Sequence, residues 1–432
     1  MLEPVAELDP AAVLDPVAVL DPAPVHGSAA SPKNNEHRIA YLDTLRGLAS
    51  VQVLLSHSML AFFIGTAFAS PSSGTLVGYL AASPLFFLFD GASAVCIFFV
   101  LSGYVLTPVF AQSRAANGAI IGSRFLRLAI PAIAGCAFSA ILFQIFGGYN
   151  QAAGAVAKSW WLADGWRPSA DLWFLRDALI NGIVLGFQDS SIVQWFGFPA
   201  ASLTSMADSY VTPLWTLSIE FYGSILVLLL ARARSWTLLI FAAIILSRTY
   251  LLCFLVGHLA ARFDLGGKRL WVPWPAAASA AAIGLAICLT SHFWSPEAVV
   301  NFCTRSVQFL PPCPLAKPEY LMRVYGATLF TVAIMQCAPI RTFLAHERLR
   351  ALGRLSFPIY LTHWPIIFGL GSFSLVILAP WAGPRPARLI AMIISIAATI
   401  FAARWFERVD QIALRVSRAW RKQKVAVEPG AA

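Results

Sequence analysis

The sequence predicts an all-α fold, a polytopic bundle of helices embedded in a membrane, and three observations carry that prediction. Of its 432 residues, 58% are hydrophobic and 12% are charged, about half the charged share of an ordinary soluble domain. Mean hydropathy is +0.71, and a water-soluble chain of this length needs more polar surface than such residues supply. Long apolar stretches recur between residues 45 and 405, and a lipid-exposed stretch satisfies its own backbone hydrogen bonds only as helix or closed barrel. The length of the apolar runs excludes the barrel. A secreted disulfide scaffold and a coiled coil are excluded as well.

Taken in order, the first element is not a span. Leu8-Asp9-Pro10, Leu14-Asp15-Pro16 and Leu20-Asp21-Pro22 repeat at a six-residue period, and proline at that density prevents a continuous helix. Residues 1–36 therefore read as a disordered tail. They lack a basic segment followed by an apolar one, so the first span serves as its own targeting signal. About ten spans follow, near 45–68, 86–110, 128–147, 213–231, 235–247, 249–263, 275–293, 321–338, 356–379 and 388–405. The fifth and sixth are short for a full crossing. Residues 172–187 read as an extra helix lying on, or dipping into, the outer face. Residues 37–410 thus form the membrane domain and 411–432 a basic tail.

Charge sets the orientation. With ten spans and both termini in the cytoplasm, more than two thirds of the 31 Lys and Arg residues fall on the inner side, as the positive-inside rule requires. The net charge of +10 is then a property of orientation and of an anionic inner leaflet, not of nucleic-acid binding. Arg408, Arg415 and Arg418, with Trp405 and Trp420, suit that membrane surface. Most of the seven cysteines lie in or near spans, where they pack as small apolar groups. Cys303 and Cys313 share one outer loop, where an oxidising compartment would allow them to pair. No Cys/His spacing fits a metal, and no metal site is expected.

Ionisable groups inside a bilayer are costly and point to function. In the first span, Arg46 and His57 are eleven residues apart, close to three helical turns, so both face one way. Asp43 lies near the same face. This is either the wall of a polar channel or an Asp43–Arg46 pair with a packing histidine above it. Arg124 and Arg127, at i and i+3, either fork onto phosphate oxygens or anchor the inner end of a span. Glu220, within Trp215-Thr-Leu-Ser218-Ile-Glu220-Phe, is either catalytic or the partner of a cation in the bundle. Ser356, Tyr360 and His363 share one side of a later helix.

Together and in this order, the elements resemble the acyltransferase-3 family of multispan membrane acyltransferases, which modify polysaccharides and other cell-surface or secreted molecules. The matching pieces are Tyr41-Leu-Asp43-x-Leu-Arg46-Gly with its Arg-x10-His to His57, Phe98-Phe99-Val-Leu-Ser102-Gly103-Tyr104, Arg124-x-x-Arg127, Trp215-x-x-Ser218-x-Glu220-Phe, Leu-Ser356-x-Pro-x-Tyr360-Leu-x-His363 and Glu407-Arg408. They run from about residue 38 to 410. Cys96 stands where the family often has an aspartate, and Val409 where a proline often follows. With no esterase-like domain appended, a stand-alone transferase is expected.

The resemblance implies an acyl-CoA donor, most often acetyl-CoA, arriving from the cytoplasm. It implies an acceptor hydroxyl, usually on a glycan, and a place in the plasma (bacterial inner) membrane. The catalytic set is then His57, Glu220 and Asp43, with His57 as general base or as a nucleophile that relays the acyl group. Arg46, Arg124 and Arg127 would hold the phosphates, and Ser218, Tyr360 and His363 would orient the acceptor. A transporter or flippase of a lipid-linked glycan is the competing class, but the two halves show no internal symmetry.

Overall fold

A computed structural model describes residues 32–64, 79, 83–169, 173–188, 191–196, 199–233, 235–265, 272–293, 301 and 318–426. The tail through residue 31 and the loop holding Cys303 and Cys313 lie outside the described residues. Within them there are helices and no strands.

The principal helices are α1 (Pro32–Phe62), α2 (Gly91–Gln112), α3 (Asn117–Phe146), α4 (Trp215–Ala233), α5 (Trp236–Leu246), α6 (Leu251–Leu265), α7 (Trp274–Phe293), α8 (Pro318–Gln336), α9 (Glu347–Pro365), α10 (Ser372–Ala382) and α11 (Pro384–Ala426). Among the described residues, helix occupies most of each of the ten apolar segments read from the sequence. Length and apolarity qualify six as membrane spans, and seven if α8 is joined to Ala338–Leu344 across an 87° bend. Helix α5, with 11 residues, is short for a crossing. The segment 86–110 is not continuous. A 3-10 turn (Pro84–Phe89) ends at Asp90, whose carboxylate caps α2 by accepting from Ser93 N and Ser93 Oγ at 3.2 and 2.6 Å. The extra helix near 172–187 is present as Phe174–Arg176 running into a π-helix, Asp177–Leu185.

Two apolar cores meet along α9. Tyr360 belongs to the one built mainly on α2, α4, α6 and α8. Leu361 and Trp364 belong to the other, built on α3, α11 and the segment 149–214. Helices α1 and α9 cross closely because glycine faces backbone on both sides. A Cβ at Gly47 would lie 2.6 Å from the Leu352 carbonyl oxygen, and one at Gly353 would lie 2.7 Å from Asp43 Cβ. Small residues at a crossing let backbones approach in this way. Both helices leave that crossing in the same direction, and ten residues on they carry His57 and His363.

Proline shapes the far side of that contact. Pro365 has no N–H to give the carbonyl one turn back, and the chain continues as a π-helix over Ile366–Gly371 before α10 begins. Such bulges concentrate at functional sites. Helix α11 then runs 43 residues, about 65 Å at 1.5 Å per residue, well beyond the thickness of hydrocarbon.

Candidate active site

Each histidine is fixed by its own helix and by the other. His363 Nδ1 lies 3.0 Å from the Ile359 carbonyl oxygen, one turn earlier on α9. His57 Nδ1 lies 2.8 Å from His363 Nε2, and the two rings are nearly parallel at 7° with centroids 5.0 Å apart. A carbonyl only accepts, so His363 Nδ1 carries the hydrogen and donates it. In the neutral ring His363 Nε2 is then an acceptor, and the hydrogen between the rings belongs to His57 Nδ1. That leaves Nε2 of His57 with a lone pair that no group among the described residues engages. One backbone carbonyl thereby sets the tautomer of two imidazoles. His363 is fully buried and His57 partly so.

Aromatic rings wall the pair. Trp161 stacks on His57 with centroids 5.6 Å apart, and Trp364 meets it edge-on at 5.3 Å. Phe368 backs both indoles. Trp161 sits on a five-residue helix, Trp160–Asp164. Ser159 holds that helix in place, donating to the Leu60 carbonyl of α1 at 3.0 Å and accepting from Leu162 N at 3.1 Å.

Tyr360, one turn below His363, bonds Thr216 Oγ1 at 2.6 Å and also donates to the Pro213 carbonyl, joining α9 to the start of α4. Ser218 donates to the Trp215 carbonyl at 3.0 Å. Neither hydroxyl touches His57.

The charged residues gather at one end of the bundle. Glu220 accepts from Arg124 Nη2 at 2.8 Å, and the same guanidinium donates from Nη2 to Ser224 Oγ at 2.9 Å. Arg127 grips Asp410 of α11 with both terminal nitrogens, at 2.7 and 3.0 Å. Asp43 lies at the Gly353 crossing, faced by Arg46 and Arg350. Arg46 stands within electrostatic reach of Arg124 and makes no hydrogen bond or ion pair among the described residues. Glu220 is one turn along α4 from Thr216, so it lies about 10 Å from the imidazole pair along the bundle axis; Asp43, fourteen residues before His57, lies about 21 Å away. The structure therefore separates His57 from the two carboxylates grouped with it in sequence, and brings it to His363 instead.

A family model described as an acyltransferase domain matches residues 39–404, most of the chain and all of this constellation except Asp410. The chain belongs to the acyltransferase-3 family. Among curated relatives, the O-acetyltransferase PaAT-1 of Phomopsis amygdali is 26% identical over 211 residues, an alignment covering 46% of this chain and 41% of that protein. The chain thus matches less than half of that relative's length. No solved structure matches it.

Within this acyltransferase-3 chain, three residues beside the predicted ones shape the site, and a fourth pairs elsewhere in the bundle. Asp410 occupies the fork of Arg127, Trp161 and Trp364 enclose His57, and Arg323 donates through Nε to Asp90 at 3.0 Å. Arg323 has a sequence signal, an arginine within an apolar helix, which calls for a buried partner. Trp364 adjoins His363 but reads like any aromatic of an apolar helix. Among the described residues, no group of three metal-ligating side chains occurs.

Proposed function

We propose that this chain is a multi-pass plasma-membrane O-acyltransferase that moves an acyl group, in the first instance acetyl, from acyl-CoA to a hydroxyl of a glycan or another cell-surface or secreted acceptor. The observation that carries the reading is the bare Nε2 of His57. It is a base of fixed tautomer, enclosed by aromatic rings on the one helix stripe that also bears Arg46. Family membership supports acyl transfer, and the relative's name, O-acetyltransferase, supports oxygen as the acceptor atom.

The dimensions suit a CoA thioester entering from the arginine-rich end, which the charge bias assigns to the cytoplasm. Arg46 lies about 16 Å from His57 along α1. The pantetheine arm, from phosphate oxygen to sulfur, has the length of about four extended residues, about 14 Å. With the diphosphate at Arg46, the thioester reaches the imidazole. Arg124 and Arg127 already hold carboxylates, so their part is to frame that mouth, and Arg46 is the cation left open to phosphate. Farther out, Arg114, Arg421 and Lys422 line an open surface groove of about 330 Å³ beside Ser113 and Ala115. Arg421 is eleven residues past Asp410, about 16 Å farther along α11, a station for the phosphate on the adenosine ribose. His57 takes the acceptor proton as the hydroxyl attacks and returns it to the departing thiolate. His363 positions His57.

The test is turnover of labelled acetyl-CoA by purified protein in lipid nanodiscs with a panel of hydroxyl acceptors. Wild-type protein should yield covalently acetylated product, and His57→Ala should yield none while remaining folded. A fully active His57→Ala enzyme refutes the reading.

A further inference from the structure

Beside the imidazole pair is a hydrogen-bond donor with no acceptor among the described residues. Trp364 is 3% exposed, and its indole Nε1 is buried without a hydrogen-bond partner among the described residues. A buried unsatisfied N–H costs about 1–3 kcal/mol, and such groups persist where they have work to do. The ring is not loosely held. It stacks on Phe368 at 4.5 Å, meets Trp161 at 5.2 Å and lies perpendicular to His57 at 5.3 Å. It is also joined to His363 by one peptide bond, directly before Pro365 and the π-helix. Position and partner-free polarity coincide on a ring whose centroid is 5.3 Å from that of His57.

We propose that the Trp364 indole N–H is a catalytic residue, the donor that receives the negative charge on the acyl oxygen during transfer. This rests on the acyltransferase reading above and adds to it the group that stabilises the tetrahedral intermediate. The acceptor oxygen bonds to the thioester carbonyl carbon while its proton passes to His57 Nε2. The electrons of the carbonyl π bond move to oxygen, and Trp364 Nε1–H donates to that oxyanion. The C=O bond re-forms as the C–S bond breaks, and the thiolate takes the proton from His57 Nε2. The products are an ester and a thiol. A preoriented N–H in a site closed by rings favours the charged intermediate over the neutral thioester, because little solvent competes for it.

Trp364→Phe keeps an aromatic ring for Phe368 and removes the N–H. It is expected to lower kcat by about 100- to 1,000-fold and to leave KM for acetyl-CoA within about twofold. Benzothienylalanine placed at position 364 by codon suppression keeps the bicyclic shape and replaces N–H with sulfur. It should show the same loss even if phenylalanine disturbs folding. Wild-type kcat in the benzothienylalanine protein, whatever the phenylalanine variant does, overturns the proposal, since shape rather than the N–H would then be what matters. Full activity of His57→Ala overturns the acyltransferase mechanism itself, whereas an inactive His57→Ala beside a fully active benzothienylalanine enzyme removes only the role of Trp364.

Discussion

Alanine at Gly353 should disable the enzyme without touching a chemical group, and the loss can be worked from the helix crossing. The new Cβ would lie 2.7 Å from Asp43 Cβ and 2.8 Å from the Asp43 carbonyl oxygen, where ordinary contact begins at 3.4 Å. Helices α1 and α9 must therefore part by about 0.7 Å. If the shift carries through the ten residues to the histidines, the 2.8 Å bond between the rings lengthens to about 3.5 Å, the edge of a hydrogen bond. His57 Nδ1–H then loses its acceptor and Nε2 is no longer the fixed basic atom. Sub-ångström to 1 Å misplacement of a catalytic group costs up to about 100-fold in rate, so kcat should fall between about 10- and 100-fold. Overpacking should cost about 1–3 kcal/mol of stability. The assay is acetyl transfer in nanodiscs alongside thermal unfolding, with Gly118→Ala as control, since nothing lies within 4 Å of a Cβ there. Wild-type kcat in a folded Gly353→Ala enzyme would show that the crossing does not set the imidazole geometry.

Three further outcomes are expected. His363→Ala should lower kcat by about 100-fold and His363→Gln by about tenfold, because the glutamine oxygen can still accept from His57 Nδ1–H; equal losses would remove the tautomer from the explanation. Glu220→Gln should leave the Arg124 guanidinium short of its carboxylate and cost about 2–3 kcal/mol in unfolding measurements, with Glu220→Arg plus Arg124→Glu recovering most of it if the pair is structural. Arg46→Ala should raise KM for acetyl-CoA about tenfold, more than it lowers kcat, and Arg421→Ala with Lys422→Ala should erase the preference for acetyl-CoA over its dephospho form in competition assays.

The sequence carried the helices and half of the site. Apolar length alone locates helix in each of the ten segments, because a helix in lipid needs no information beyond its own hydrogen bonds, but among the described residues only six or seven helices are long and apolar enough to cross. It does not locate the Asp90 break, since one carboxylate inside an apolar run looks the same whether it caps a helix or interrupts it. Helical spacing put Arg46 and His57 on one stripe, and Ser356, Tyr360 and His363 on another. It could not bring the stripes together. That takes the Gly47 and Gly353 crossing, where two glycines some 300 residues apart in sequence let the helices run parallel in contact. For the same reason Arg124 and Arg127 read as open cations. Their partners, Glu220 and Asp410, are 96 and 283 residues away. Trp364 was legible as a letter but not as a donor, because whether an indole N–H is satisfied is a property of its surroundings.

The distribution of charge along the bundle explains why the candidate site is built from imidazoles. The carboxylates that resembled catalytic partners are held near the arginine-rich end, where each faces a guanidinium and each side chain of the Arg124–Glu220 and Arg127–Asp410 pairs keeps 15–21% exposure. A carboxylate placed beside His57 instead would bring a full charge to a point with no cation among its described contacts, where desolvation of an ion costs several kcal/mol. A second neutral imidazole fixes the first one's tautomer without that cost, and Ile359, a backbone carbonyl, fixes the second without adding a side chain at all. Under the proposed mechanism charge arises only during the reaction, as an imidazolium and an oxyanion formed together, so the fold would stabilise a transient pair rather than a permanent ion. A His363→Asp enzyme tests this ordering. If a permanent negative charge serves as well as in soluble Ser-His-Asp hydrolases, the variant should fold and retain activity; the arrangement of this bundle requires instead that it lose both stability and turnover relative to His363→Gln.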